Sequence, residues 1–251
     1  MAHTTEASTE WGEVLKYGQS KHQSVQFMLP RAPGPVCGMA VLIHGGYWRA
    51  RFDATLMLPL AHSLTAQGWA IANVEYRRIG NGGGWPQTLD DVQAAIRLVR
   101  SSNFCLAHST PVVGIGHSVG GQLALLAGKQ LDAIVALAPV TDVARTDREH
   151  LGEDAASEFM NSSWTQSPQE FDRASPIRQL PLGRPILVIH GDDDDRVPIA
   201  HSLDFRAAAE SAGDDMVLRV IPGLSHRAAI DPQAGHWPGT LQWMTRVGND
   251  R

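Results

Sequence analysis

Residues 111–129 read PVVGIGHSVGGQLALLAGK: an apolar run, a serine between glycines, and directly afterwards a helical stretch rich in Leu, Ala and Gly. That succession leaves few folds open. The apolar run is too short for a helix and suits a strand buried on both faces, the kind found in parallel sheets with helical crossovers. The rest of the chain keeps the same rhythm. Further strands are predicted at 38–44 (GMAVLIH), 69–75 (WAIANVE), 133–138 (AIVALA), 185–190 (PILVIH) and 216–221 (MVLRVI). Between them, 56–67 has helical spacing and stops at Gly68, while 117–129, 202–212 and 239–247 also read as helices. Pro86 opens another, with Leu89, Val92, Ala95, Ile96 and Val99 on one face. The expected architecture is α/β, a mostly parallel central sheet with helices on both faces, in one domain over 1–251. Only 140–182 breaks the pattern. It is too long for a strand-to-helix loop of about 2–6 residues, and mixes acids with Phe159, Trp164 and Phe171. Either a small cap that shapes a substrate site or an irregular connection would account for it.

Composition narrows the function. With 43% hydrophobic and 19% charged residues the chain is globular, and a net charge of −5 offers nothing to nucleic acid or an anionic membrane. No run reaches the ~18 apolar residues of a membrane span, and the polar, acid-containing start MAHTTEASTEWGEV has no signal-peptide character. A cytoplasmic protein is expected. Cys37 and Cys105 are the only cysteines, in no CxxC pair, and are expected to be free, buried thiols in a reducing compartment. A homodimer is compatible with the sequence.

Gly116-His117-Ser118-Val119-Gly120 matches G-x-S-x-G, a turn that projects a serine hydroxyl from between a strand and a helix. The backbone there is strained and tolerates no bulk on either side, which is why glycines flank it. A Gly-rich turn with a chance serine is the alternative, but the strand before and the helix after favour a nucleophile at Ser118. Two nucleotide readings fail. Gly114-Ile115-Gly116 has Val119 where a dinucleotide fingerprint needs glycine, and the 80–84 glycine cluster lacks the Lys-Ser/Thr of a P-loop.

A serine nucleophile needs amide donors for the developing oxyanion, and losing one such donor costs about 2.7–4 kcal/mol. His44-Gly45-Gly46-Tyr47-Trp48 lies directly after the first strong strand and supplies a loop for that purpose. The N–H groups of Gly46 and Tyr47 are the expected donors, with Val119 next to the nucleophile as a third. His44 is read as a loop-shaping residue rather than a base. A base needs an acid to hold its tautomer, and both must follow the serine in the order Ser, Asp, His. His190-Gly191 leads into Asp192, Asp193, Asp194 and Asp195, of which Asp194 is expected to be the acid and Asp193 and Asp195 its competitors. His226, in GLSH just past the last strand, is the expected base, whereas His236 falls in a Pro/Gly-rich stretch. The acids lack the spacing of a calcium loop and the histidines that of a zinc site, so neither metal nor cofactor is expected.

Four segments together carry a resemblance: HGGYW (44–48), GHSVG (116–120), HGDDDDRVP (190–198) and GLSH (223–226). They resemble the kynurenine formamidase (arylformamidase) branch of the α/β hydrolases, with an HGGYW loop shared by small carboxylesterases. The likeness runs from about Val36 to the C-terminus, and its acid-loop pattern is what selects Asp194. It implies an α/β-hydrolase fold and a Ser118–Asp194–His226 triad. The implied substrate is a small aryl formamide or short-acyl ester, cleaved through an acyl-enzyme. An aromatic leaving group would suit a pocket containing Tyr47 and Trp48, Trp85 or Trp164. Prolyl-oligopeptidase-like peptidases share the elbow and acid loop, but this chain has no room for their propeller. A non-catalytic receptor on this fold usually loses a triad member, and all three are present here.

Overall fold

The apolar runs become six neighbouring strands of one eight-stranded sheet in the computed structural model, which describes residues 12–30, 36–104 and 110–249. The strands are β1 (Val14–Lys16), β2 (Ser24–Met28), β3 (Gly38–Ile43), β4 (Trp69–Glu75), β5 (Val112–His117), β6 (Ala133–Leu137), β7 (Ile186–Gly191) and β8 (Met216–Ile221). Their spatial order is β1-β2-β4-β3-β5-β6-β7-β8. From β4 to β8 every neighbouring pair is parallel, whereas β1 with β2 and β2 with β4 are antiparallel. All six sequence-predicted strands are present. The antiparallel edge was not foreseen, because β1 is only three residues long and β2 (SVQFM) carries polar residues within it.

Side chains of successive strand residues point to opposite faces, so each central strand feeds two cores. Met39, Val41 and Ile43 of β3 join one apolar cluster, while Ala40 and Leu42 join the other. Helix α1 (Leu58–Ala66) adds Leu60, Ala61 and Leu64 to the second cluster, and α2 (Gln87–Ser101) adds Val92, Ala95, Ile96 and Val99 to the first. α3 (Val119–Leu126) also packs on the first face, through Leu123, Ala124 and Leu125. This two-sided burial is what makes the strands read as continuous apolar runs.

Residues 140–182 form three helices, α4 (Val143–Arg148), α5 (Leu151–Met160) and α6 (Pro168–Ala174). Together with Trp48, Val119 and Val197 they build a third apolar cluster. α7 (Ala200–Ala212) and α8 (Trp237–Asn249) complete the helices. No helix among the described residues is long and apolar enough to cross a membrane. Cys37 is a free thiol, but it is exposed rather than buried, because it lies just ahead of β3 and outside the sheet. Cys105 lies outside the described residues.

Candidate active site

The serine turn forms as its glycines require. Ser118 stands between β5 and α3 with φ 56° and ψ −121°, a region that side chains rarely adopt. Its backbone is pinned on both sides: its N–H donates to Leu137 O (2.9 Å), and its carbonyl accepts from Gly121 (2.9 Å) and Val140 (3.2 Å). A Cβ at Gly120 would lie 2.1 Å from Ile43 O and 2.4 Å from His44 O, and one at Gly116 would lie 2.1 Å from Gly120 O. The turn is thus pressed against the loop that leaves β3, so only glycine fits at either place. Val119 is the first residue of α3, where a helix offers its N–H no internal acceptor.

The loop after β3 is also strained: Gly46, Tyr47 and Trp48 all have positive φ (118°, 53° and 56°). His44 anchors its start. Tyr76 stacks on the His44 ring (4.3 Å between centroids) and donates its hydroxyl to His44 O (2.6 Å). Arg78 Nη1 donates to His44 Nε2 (2.9 Å), so the ring carries its proton on Nδ1, which lies 2.7 Å from Gly45 O. Arg78 itself is buried and paired with Glu75. His44 is therefore occupied in holding the loop.

The acid loop after β7 places one of its four carboxylates inside. Asp194 Oδ1 accepts the N–H groups of Arg196 and Val197 (2.9 Å each), and Oδ2 accepts from His226 Nδ1 at 2.8 Å. Its side chain is 1% exposed, while Asp193 and Asp195 are exposed residues. His190 braces the same loop: its Nε2 donates to Val197 O (2.9 Å) with Asp194 Oδ2 3.2 Å away. Burial opposes the charge on Asp194, but hydrogen bonds from His190, His226 and the Val197 amide outweigh it and hold the carboxyl below the usual carboxylate range. With Nδ1–H committed to Asp194, the free lone pair of His226 is on Nε2. His117 joins the base loop to the serine turn, its Nε2 lying 3.0 Å from His226 O and its ring 4.6 Å from the His226 ring. His236 is buried beside Trp237, away from this cluster.

Ser118, His117 and His226 line one cavity of about 640 Å³, together with Gly46, Tyr47, Arg51, Phe52, Leu56, Ile230 and residues of the acid and base loops. Trp48, Trp85 and Trp164, expected in the pocket, do not line it. Trp48 is completely buried, donates to Gln122 Oε1 (2.9 Å) and stacks on Phe159 at 4.5 Å. Trp85 donates to Glu170 and meets Phe159 edge-on, and Trp164 lies beneath the Arg148 guanidinium. All three serve the third core, because α4–α6 need apolar surface to cover them. No residue of 140–182 lines the cavity either; that segment reaches it through Tyr47, whose ring packs against Gly152. Sequence reasoning missed Arg51, Phe52, Leu56 and Ile230. Arg51 and Phe52 lie three and four residues past the end of the HGGYW loop, the one signal that could have flagged them. Among the described residues, no group of three or more His, Cys, Asp or Glu side chains is arranged to hold a metal ion.

Three buried histidines tie this region to pH. Burial first, then the neighbouring charges Arg78, His226 and Arg145 respectively, lowers His44, His117 and His201 from 6.5 to about 3. Between those values the unfolded chain binds protons that the folded chain refuses, so stability falls as pH falls, by up to about 1.4 kcal/mol per pH unit for each histidine. Thermal melts are expected to show a clear drop in Tm from pH 7 to pH 5, before most carboxylates protonate. An unchanged Tm across that interval would rule out neutral burial of these rings.

With fold and geometry in hand, the chain can be placed among known proteins. The BD-FAE family pattern matches residues 25–208. The chain belongs to the BD-FAE family. This is an esterase family of the α/β hydrolases. Esterase LipQ of Mycobacterium tuberculosis (strain ATCC 25618 / H37Rv) is 28% identical over 202 residues, 72% of this chain and 48% of that protein. The chain thus spans about half the length of that curated relative. Among solved structures, a truncated carbohydrate esterase from gut microbiota superposes with a TM-score of 0.83 at 20% identity, covering 96% of this chain and 98% of the other. Esterase B from Lactobacillus rhamnosis gives 0.80 at 18% identity, over 96% and 85%. At such identities the structural likeness establishes the α/β-hydrolase fold alone. The relatives named here are esterases rather than arylformamidases.

Proposed function

We propose that this BD-FAE family member is a serine esterase acting on small carboxylic esters, with Ser118 as nucleophile, His226 as base and Asp194 as the acid that orients it. The observation that carries the reading is the Asp194–His226 contact of 2.8 Å beside a strained serine in the same cavity. His226 Nε2 takes the Ser118 proton as Oγ bonds to the substrate carbonyl carbon. The resulting oxyanion accepts the N–H groups of Gly46, Tyr47 and Val119. The intermediate collapses, the bond to the leaving alcohol breaks, and His226 returns its proton to that oxygen. Water then attacks the acyl-enzyme, giving its proton to His226, and the carboxylic acid leaves as Ser118 is restored. Aryl formamides pass through the same steps with an arylamine leaving, and the HGGYW and GLSH segments support that substrate as the second choice.

Comparing kcat/KM for p-nitrophenyl esters from acetyl to hexanoyl, phenyl formate and N-formylkynurenine tests the assignment. Acetyl to butyryl esters are expected to be the best substrates, in keeping with a cavity of about 640 Å³. A steep preference for one-carbon acyl groups, with N-formylkynurenine leading, would assign a formamidase instead. No turnover of any of them, with Ser118 unlabelled by a fluorophosphonate probe, would defeat the serine-hydrolase reading.

A further inference from the structure

We propose that the preferred substrate is an ester carrying a carboxylate, received by Arg51 and Arg227 at the wall of the catalytic cavity. The proposal rests on the serine-esterase reading and adds the charge of the substrate to it. Each of three loops that build the site delivers one arginine to the cavity lining: Arg51 from the loop after β3, Arg196 from the acid loop and Arg227 from the loop that carries His226. Two carboxylates, Asp193 and Asp195, line the same cavity, so its charged lining has one net positive charge in a chain of net charge −5. The cavity is locally reversed from the molecule that holds it.

Two of the three guanidiniums are not neutralised. Arg196 Nε lies 3.4 Å from Asp195 Oδ2, and the same guanidinium faces the Tyr47 hydroxyl, so that pair is internally matched. Arg51 rests over the Phe52 ring, 5.1 Å from its centroid, a contact that orients the cation and leaves its charge in place. Among the described residues neither Arg51 nor Arg227 has a carboxylate within ion-pair distance. Several arginines elsewhere are paired, as with Arg49 and Glu158, Arg77 and Asp91, or Arg145 and Asp204, whereas Arg51 and Arg227, inside a cavity, are unpaired among the described residues. Of the described residues that line the catalytic cavity, Asp193 is the counter-charge left for these two cations, while Asp231 lines the adjoining cavity together with Arg227.

The apolar part of the lining completes the picture. Phe52, Leu56 and Ile230 supply a surface for a short carbon chain or ring in the same lining as the arginines. Arg227 also borders a neighbouring cavity of about 600 Å³ that shares Leu56, Ser225 and Ile230 with the catalytic one, so it stands where the two meet. A guanidinium there can take a carboxylate in its planar fork, and a cleft with low-dielectric walls concentrates anions more than open surface does.

Two matched pairs of esters test this. On the acyl side, 4-nitrophenyl butyrate and mono-4-nitrophenyl succinate have the same acyl length and differ in a terminal carboxylate. On the leaving-group side, phenyl acetate and 4-acetoxybenzoate differ in the same way. At low ionic strength the charged member of at least one pair is expected to show about tenfold higher kcat/KM, mostly through KM, with the advantage shrinking as salt screens it. In the double variant Arg51→Gln/Arg227→Gln the charged-to-neutral ratio should fall to near one. Equal or better turnover of the neutral ester in both pairs overturns the charge proposal while leaving the esterase reading intact. A ratio unchanged in the double variant also overturns it, since the preference would then come from elsewhere. If no ester of either pair is cleaved and Ser118 takes no fluorophosphonate label, both readings fail together.

Discussion

Replacing Ser118 with alanine is expected to cut ester turnover by about 10⁶-fold, the scale on which a lone nucleophile loss disables a serine hydrolase. The fold should survive. Alanine keeps the Cβ, and the bonds that hold the turn run through backbone atoms of Leu137, Gly121 and Val140. The removed hydroxyl belongs to a residue only 2% exposed, and no described contact in the core depends on it. Steady-state assays with p-nitrophenyl acetate, a thermal melt and intact mass after fluorophosphonate treatment check the three parts separately. An S118A protein that hydrolyses esters within tenfold of the wild-type rate would remove Ser118 from the chemistry.

Asp194→Asn is expected to lower kcat by about 10⁴-fold, the loss seen when an orienting carboxylate becomes an amide. The cause is the proton on the imidazole. Asp194 Oδ2 accepts from His226 Nδ1–H, which leaves the lone pair on Nε2, the proposed base; an amide –NH₂ in that place favours the opposite tautomer, with Nε2 already protonated. Asn Oδ1 can still accept the N–H groups of Arg196 and Val197, so the loop should hold its shape. Asp195→Asn touches only an exposed pair with Arg196 and should cost a small fraction of that loss. Pre-steady-state release of p-nitrophenol separates acylation from later steps. If Asp195→Asn proved as damaging as Asp194→Asn, the acid would have to be reassigned.

How far the chain could be read in advance differs between its parts, for a physical reason. β4, buried along nearly its whole length, falls at the boundaries its apolar run predicted, and so does β8, an edge strand whose run is nevertheless mostly apolar. β1 and β2 are not legible in the sequence because β1 has only three residues and β2 (SVQFM) mixes polar with apolar positions. Aromatic residues near an oxyanion loop suit an aromatic leaving group, which is why the sequence points to the three tryptophans as pocket residues. The packing of α4–α6 claimed them first, and Trp48 ended completely buried.

Local sterics and periodicity therefore decided the strands and the glycine-framed elbow at Ser118. These depend on neighbours a few residues apart, and such neighbours are written in the chain. The acid-loop pattern singles out Asp194 among four successive carboxylates, but which aromatics line the cavity and which arginines stand unneutralised beside it depend on groups that only folding brings together. Asp194 and His226 are 32 residues apart, and Trp48 and Gln122 are 74 apart. No spacing rule spans such gaps; the twist and register of the sheet do.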